Sequence, residues 1–154
     1  MIEGLDRIVR EHPFFAGLPE ETITLVAGCA KNIRFDAGQY LFRTGEQADE
    51  FYLIRQGRVA LEVSAPGRGA VAFETLSEGE IVGHAWLVPP FRRTSDAKAL
   101  ELVRAISMDT KCLRGKCDAD HHLGYEMLLR LVPVLVERLY ATRLQMLDVY
   151  GTPR

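Results

Sequence analysis

Phe51-Tyr52-Leu53-Ile54, Val59-Ala60-Leu61-Glu62-Val63 and Val71-Ala72-Phe73-Glu74 are three short β-type runs, punctuated by Gln56-Gly57, Pro66-Gly67 and Glu78-Gly79. Glycine and proline at such points end a strand and turn the chain. Short strands recurring at roughly 8–12 residue spacing predict an antiparallel barrel or sandwich rather than βαβ units. The pattern holds from Asn32 to about Ser107, and Leu102-Val103-Arg104-Ala105-Ile106 closes it. The expected fold class is mainly β with flanking helices.

Upstream, Ile2 to Val9 and Glu20 to Ala30 read as short helices. Leu18-Pro19-Glu20-Glu21 is a helix start, with proline and acids in the first turn, and Ile23, Val26 and Ala27 follow at helical spacing. Pro13-Phe14-Phe15-Ala16-Gly17-Leu18 forms a hydrophobic hinge between them. Downstream, Asp118 to Val149 reads as helix. Leu128, Val132, Leu135, Leu139, Thr142, Met146 and Val149 alternate at spacings of four and three, the a/d seam of a coiled coil. That seam predicts a homodimer through the C-terminal helix; the alternative is an amphipathic helix packed on its own barrel. Pro133 removes a hydrogen bond from a helix interior but fits a first turn, so a break near Leu131-Val132 is expected there.

The chain has 154 residues, 47% hydrophobic and 26% charged, which suits one domain with a real core and excludes general disorder. Residues 1–154 are read as a single domain, with N-terminal helices and barrel over 12–107 and C-terminal helices over 108–149. The net charge of −2 offers no basic surface for nucleic acid. The longest stretch free of Lys, Arg, Asp and Glu is the 11 residues from Ile81 to Phe91, and a membrane span needs about 20. The N-terminus is mixed in charge, unlike a secretory signal, and three cysteines suit a reducing compartment. A cytoplasmic location and no membrane partner are expected.

The chemistry concentrates in Gly79-Glu80-Ile81-Val82-Gly83-His84-Ala85-Trp86-Leu87 and Arg92-Arg93-Thr94-Ser95-Asp96-Ala97-Lys98-Ala99. A glycine at a strand end followed by a short turn can present backbone N–H groups to an anion. Arg93-Thr94 adds a charged fork and a hydroxyl, both suited to phosphate. The plainer alternative is a bulged strand, a turn and a surface arginine.

The order of landmarks resembles the cyclic nucleotide-binding domain family, which includes the bacterial catabolite activator and the regulatory subunits of cyclic-AMP-dependent kinase. Phe14-Phe15-Ala16-Gly17-Leu18 is similar to the motif preceding that family's roll. Phe35-Asp36-Ala37-Gly38-Gln39-Tyr40-Leu41-Phe42, Gly45-Glu46 and Phe51-Tyr52-Leu53-Ile54-Arg55-Gln56-Gly57 resemble its first strands and turns. Gly79-Glu80-Ile81-Val82-Gly83 resembles the opening of its phosphate-binding cassette. The similarity runs from about residue 12 to 149. It implies a β-roll or jelly-roll barrel with short N-terminal helices and a long C-terminal helix. It also implies a small-molecule phosphate ligand, such as cyclic AMP or cyclic GMP, and no other cofactor.

By that resemblance the ligand-binding residues are Gly83, His84, Ala85, Trp86, Arg93, Thr94, Arg138 and Thr142. Arg93 matches the arginine that pairs with the cyclic phosphate, and Thr94 the small residue beside it. Arg138 and Thr142 match long-helix positions that reach the nucleotide, Thr142 at the base. They are four apart, on one helix face. One position departs from the family. Its cassette follows the glycine with a glutamate that accepts a hydrogen bond from the ribose 2′-hydroxyl; His84 stands there instead. Neutral imidazole keeps one acceptor and imidazolium none. Losing a charge-assisted bond of about 1.5–3 kcal/mol weakens binding roughly tenfold to a hundredfold. A histidine beside Arg93 could instead favour a more anionic ligand. Trp86 and Pro89-Pro90 are bulkier than usual, and would narrow the pocket or stack on a base.

The family's transcription factors carry a helix-turn-helix after the long helix. Only Tyr150-Gly151-Thr152-Pro153-Arg154 follow Val149, so no direct DNA contact is expected. Cys112, Cys117, His121 and His122 invite a zinc reading. A structural one is expected: Gly115 breaks the helix between the cysteines, Asp118 or Asp120 caps the next, and the histidines lie exposed in its first turn. Cys29 reads as a buried, free helix residue, and redox sensing by Cys112 or Cys117 stays open. His12 reads as an ordinary loop residue. No nucleophile elbow, P-loop or metallohydrolase helix is present, so no enzyme is expected. Two functions remain: a stand-alone sensor signalling through its C-terminal helix to an unknown protein partner, or a degenerate dimeric interaction module with no nucleotide.

Overall fold

The structure is a computed structural model in which residues 2–150 are described. It contains, in order, helix α1 (Ile2–Glu11), a 3₁₀ turn (Pro13–Phe15), helix α2 (Glu20–Ala27) and strands β1 (Ala30–Phe35), β2 (Tyr40–Phe42), β3 (Glu50–Gln56), β4 (Val59–Ala65), β5 (Gly69–Leu76) and β6 (Ile81–Val82). A second 3₁₀ turn (Ala85–Leu87) precedes β7 (Asp96–Ala99), β8 (Val103–Asp109), helix α3 (Thr110–Ala119) and helix α4 (His121–Tyr150). The residues group into two compact units that divide after Gly115.

In the first unit the strands form two antiparallel four-stranded sheets, ordered β1-β8-β3-β6 and β2-β7-β4-β5. This is the jelly-roll architecture expected from the run of short strands. The core between the sheets is made by inward positions such as Phe42, Tyr52, Ile54, Leu61, Leu76, Val82 and Val103. Strand β3 is buried from Phe51 through Ile54 rather than alternating, because its outward residues are covered too: the Phe51 ring meets those of Phe14 and Trp86. Burial on both faces reads in sequence as a continuous apolar run.

The hinge is a packed element. His12 is 5% exposed and caps the 3₁₀ turn, its Nδ1 accepting from the Phe14 N–H at 3.2 Å and its Nε2 lying 3.2 Å from the Ile54 carbonyl. The expectation of an ordinary loop histidine is corrected: both ring nitrogens are committed to backbone. Nδ1 accepts, so the ring is neutral with its proton on Nε2. Burial pushes the imidazole below its ordinary value, opposed by the Ile54 bond. The unfolded chain therefore takes up the proton first as pH falls. Stability is expected to decline as pH drops below about 6.5, by no more than about 1.4 kcal/mol per pH unit for this proton. Urea denaturation at neutral and acid pH checks this. His12→Asn, which keeps an acceptor for Phe14, should show a smaller acid loss.

Strand β8 runs back beside β1, pairing Met108 with Ala30, so the residues flanking the two strands meet. Asp109 N–H donates to the Cys29 carbonyl at 2.8 Å, and Cys29 and Cys112 form a disulfide across 83 positions of sequence, with Cα atoms 5.6 Å apart. The expectation of a free helical Cys29 is corrected: it lies just past α2 and is bridged. With Cys112 bonded, the Cys112, Cys117, His121 and His122 set loses one thiolate; Cys117 is free. Helix α3 runs through Gly115 without a break, contrary to expectation, its first turn capped by Asp109 Oδ1 on the Cys112 N–H at 3.0 Å.

In the second unit, Asp120 Oδ1 accepts from the N–H groups of His122 and Leu123 at 3.1 and 3.3 Å, capping α4 with both histidines exposed in its first turn. Pro133 lies inside this 30-residue helix, so the expected break near Leu131-Val132 is absent. One face carries buried Leu123, Met127 and Leu131. Another leaves Leu128, Val132, Leu139 and Met146 about half exposed. Thr142 is exposed as well and Leu135 only partly buried; the side chain of Val149, the last seam position, lies outside the described residues. Among the described residues, no helix is long and apolar enough to cross a membrane.

Candidate ligand-binding site

Strand β6 ends at Gly83, where φ is +103°. A Cβ there would stand 2.7 Å from Arg93 Nη1, 3.5 Å from Phe51 Cβ and 3.7 Å from Phe42 Cε2. Glycine is thus required both by the left-handed backbone and by the approach of the arginine. His84 follows, exposed, at the start of the 3₁₀ turn. Ala85 and Trp86 form the turn itself. Trp86 is 2% exposed and stacks on Phe51 with ring centroids 4.9 Å apart and 7° between planes. One face of its indole is covered by Phe51. Arg114 on α3 holds this turn from outside, donating from Nη1 to the Trp86 carbonyl at 2.9 Å, with its guanidinium 4.4 Å over the Phe91 ring.

Arg93 is returned to Gly83 by the segment before β7. Its backbone is pinned to the β2–β3 connection: its N–H donates to the Glu46 carbonyl at 2.8 Å, and its carbonyl accepts from Gly45 at 2.9 Å. The Gly45-Glu46 turn therefore serves to fix the arginine. The side chain is 4% exposed, its guanidinium 3.9 Å over the Phe42 ring. Nη2 donates to the Glu50 carbonyl, while Nε and Nη1 are buried with no hydrogen-bond partner. Burial pushes this guanidinium below its ordinary value, and Tyr52, Glu50, Glu46 and Asp49 act against that. A buried cation with two unsatisfied donors costs about 1–3 kcal/mol for each unmade bond. An anion with two acceptor oxygens is what would satisfy it.

Gly83, Trp86 and Arg93 thus come together through the Phe42 and Phe51 rings, with Thr94 next in chain and exposed. Arg138 and Thr142 stand on α4 in the second unit, where the Thr142 hydroxyl donates to the Arg138 carbonyl at 2.9 Å. The phenylalanines, Glu50 and Arg114 were not picked out as site residues from sequence. Phe42 and Phe51 read there only as strand core, and Arg114 carried no motif.

The family model of the cyclic nucleotide-binding domain matches residues 32–120. The CRP-like cAMP-activated global transcriptional regulator of Mycobacterium tuberculosis (strain ATCC 25618 / H37Rv) is 30% identical over 148 residues, covering 96% of this chain and 64% of the regulator. The chain therefore spans less than two thirds of that relative. A candidate cyclic nucleotide-binding protein from Geobacter metallireducens has the same fold, with TM-score 0.77, 26% identity, and coverage of 87% of this chain and 97% of that one. The regulatory subunit of a cAMP-independent protein kinase A from Trypanosoma brucei also shares the fold, with TM-score 0.62, 22% identity, and coverage of 71% and 39%. The chain belongs to the cyclic nucleotide-binding domain family.

Proposed function

We propose that this domain is a regulatory sensor, not an enzyme, that binds a cyclic nucleotide or related phosphate ligand at Gly83–Trp86 and Arg93-Thr94. The observation that carries this reading is the buried Arg93 guanidinium with Nε and Nη1 unpartnered. The cyclic phosphate offers two exocyclic oxygens to those donors, and the Mycobacterium relative is cAMP-activated. Arg138 and Thr142 enter the proposal through the family resemblance alone. Trp86 is the sole tryptophan and lies in the cassette, so its emission should change saturably on titration with cyclic AMP or cyclic GMP. A flat response to both overturns the cyclic-nucleotide reading.

His84 supports a second reading, in which the pocket has lost its nucleotide and the domain acts as an interaction module. The two are separated by His84→Glu. Restoring a carboxylate toward the ribose should tighten cyclic nucleotide binding by about tenfold to a hundredfold. No gain means that the position does not face a ribose.

Signalling is proposed to pass through the C-terminal helix of a homodimer to a protein partner. The half-exposed Leu128, Val132, Leu139 and Met146 lie on one face at spacings of four, seven and seven, as seam positions of a heptad repeat do. Leu139→Glu is expected to convert the dimer to monomer in sedimentation; an unchanged mass rejects the seam.

A further inference from the structure

The Cys29–Cys112 bridge joins the edge of β1 to the first turn of α3. A cavity of about 190 Å³ opens over it, lined by both cysteines with Lys31, Glu50, Ser107 and Asp109. Cys29 is buried whereas Cys112 is only partly so, which makes Cys112 Sγ the approachable sulfur. Two residues beyond Cys112 stands Arg114. Positions two apart on a helix point about 200° apart, so this turn has the disulfide on one side and Arg114 on the other. Arg114 grips the Trp86 carbonyl and the Phe91 ring, near the two ends of the loop between Gly83 and Arg93. A covalent tether and the cassette are thus connected through one helical turn.

We propose that Cys29–Cys112 is a reversible redox site whose state sets how firmly the Gly83–Arg93 loop is held, its reactant being a low-molecular-weight thiol. A thiolate attacks Cys112 Sγ, forming a mixed disulfide there and releasing Cys29 as thiolate, which takes up a proton. A second thiol attacks the external sulfur of the mixed disulfide and releases Cys112. Two thiols are oxidised to one disulfide and the protein gains two electrons and two protons. Reduction removes the tether but leaves the Thr110 hydroxyl on the Ala48 and Asp49 carbonyls at 3.0 and 2.8 Å. The turn is loosened, not detached. The proposal does not depend on nucleotide binding, since its readouts belong to the unliganded chain.

The test is hydrogen exchange on the full chain carrying Cys117→Ser, which removes the third thiol. Disulfide and dithiol forms are prepared in glutathione buffers of varied reduced-to-oxidised ratio. The loop amides of Leu87, Val88 and Phe91, bonded to the carbonyls of His84, Ala85 and Val88, should exchange severalfold faster in the dithiol form. Those of the β4–β5 hairpin should change less. In Arg114→Met, the loop should exchange fast in both forms. Equal loop exchange in the two forms of the parent chain overturns the proposal. So does a bridge that glutathione reduces only when circular dichroism shows the chain unfolded.

Discussion

Arg93→Met is expected to raise the stability of the unliganded protein by about 1–3 kcal/mol while weakening cyclic nucleotide binding by more than about a hundredfold. The two effects share one cause. Arg93 is a cation 4% exposed with two donors unmet, and an apolar side chain of similar length relieves that desolvation. The loss of its contact with the Phe42 ring and of its bond to Glu50 partly offsets the gain. Binding suffers because the phosphate loses a charge-assisted pair of bonds, each worth about 1.5–3 kcal/mol. Urea denaturation and ligand titration of the same preparation check both. A variant less stable than the parent would mean that Arg93 is chiefly structural; one that binds equally well would mean that the phosphate lies elsewhere.

Removing the disulfide should have an effect of similar size on folding. Cys29 and Cys112 are 83 positions apart, and closing a loop of that length restricts the unfolded chain by about 4.5 kcal/mol in the chain-entropy account. Measured losses of native bridges fall at about 2–5 kcal/mol. Cys29→Ala with Cys112→Ala is therefore expected to lower unfolding free energy by an amount in that range. Nearly all of it should come from the unfolded state, because the Asp109–Cys29 backbone bond and the Thr110 contacts remain. A change below about 0.5 kcal/mol would show that the reduced chain already holds these segments together when unfolded.

The strands were legible because the roll writes itself in local chemistry. Glycines at 57, 67 and 79 have positive φ and stand where the apolar runs stop. The helix start at Pro19-Glu20 and the Asp120 cap were legible for the same reason: each depends on residues within one turn. What stayed hidden depends on partners distant in sequence. The Cys29–Cys112 bridge follows from β8 returning beside β1, and no spacing rule joins residues so far apart. His12 took its importance from Ile54, which lies across the unit on β3. Pro133 misled because a proline's helix-breaking tendency is a local cost, and a long helix can carry it. The resemblance picked out Arg93 as a candidate phosphate residue, but nothing in the sequence showed its two buried donors left unbonded or its guanidinium over the Phe42 ring. Trp86 was read as narrowing the pocket or stacking on a base, and its packing against Phe51, 35 positions earlier in the chain, was not legible.

On the proposed function, the buried guanidinium of Arg93 receives the phosphate of a cyclic nucleotide. Titration calorimetry of the purified chain against cyclic AMP and cyclic GMP, with Arg93→Met in parallel, addresses it most directly. Binding at micromolar concentration or tighter to at least one nucleotide, absent in the variant, is the expected result. No heat with either nucleotide, or equal binding by the variant, would contradict it.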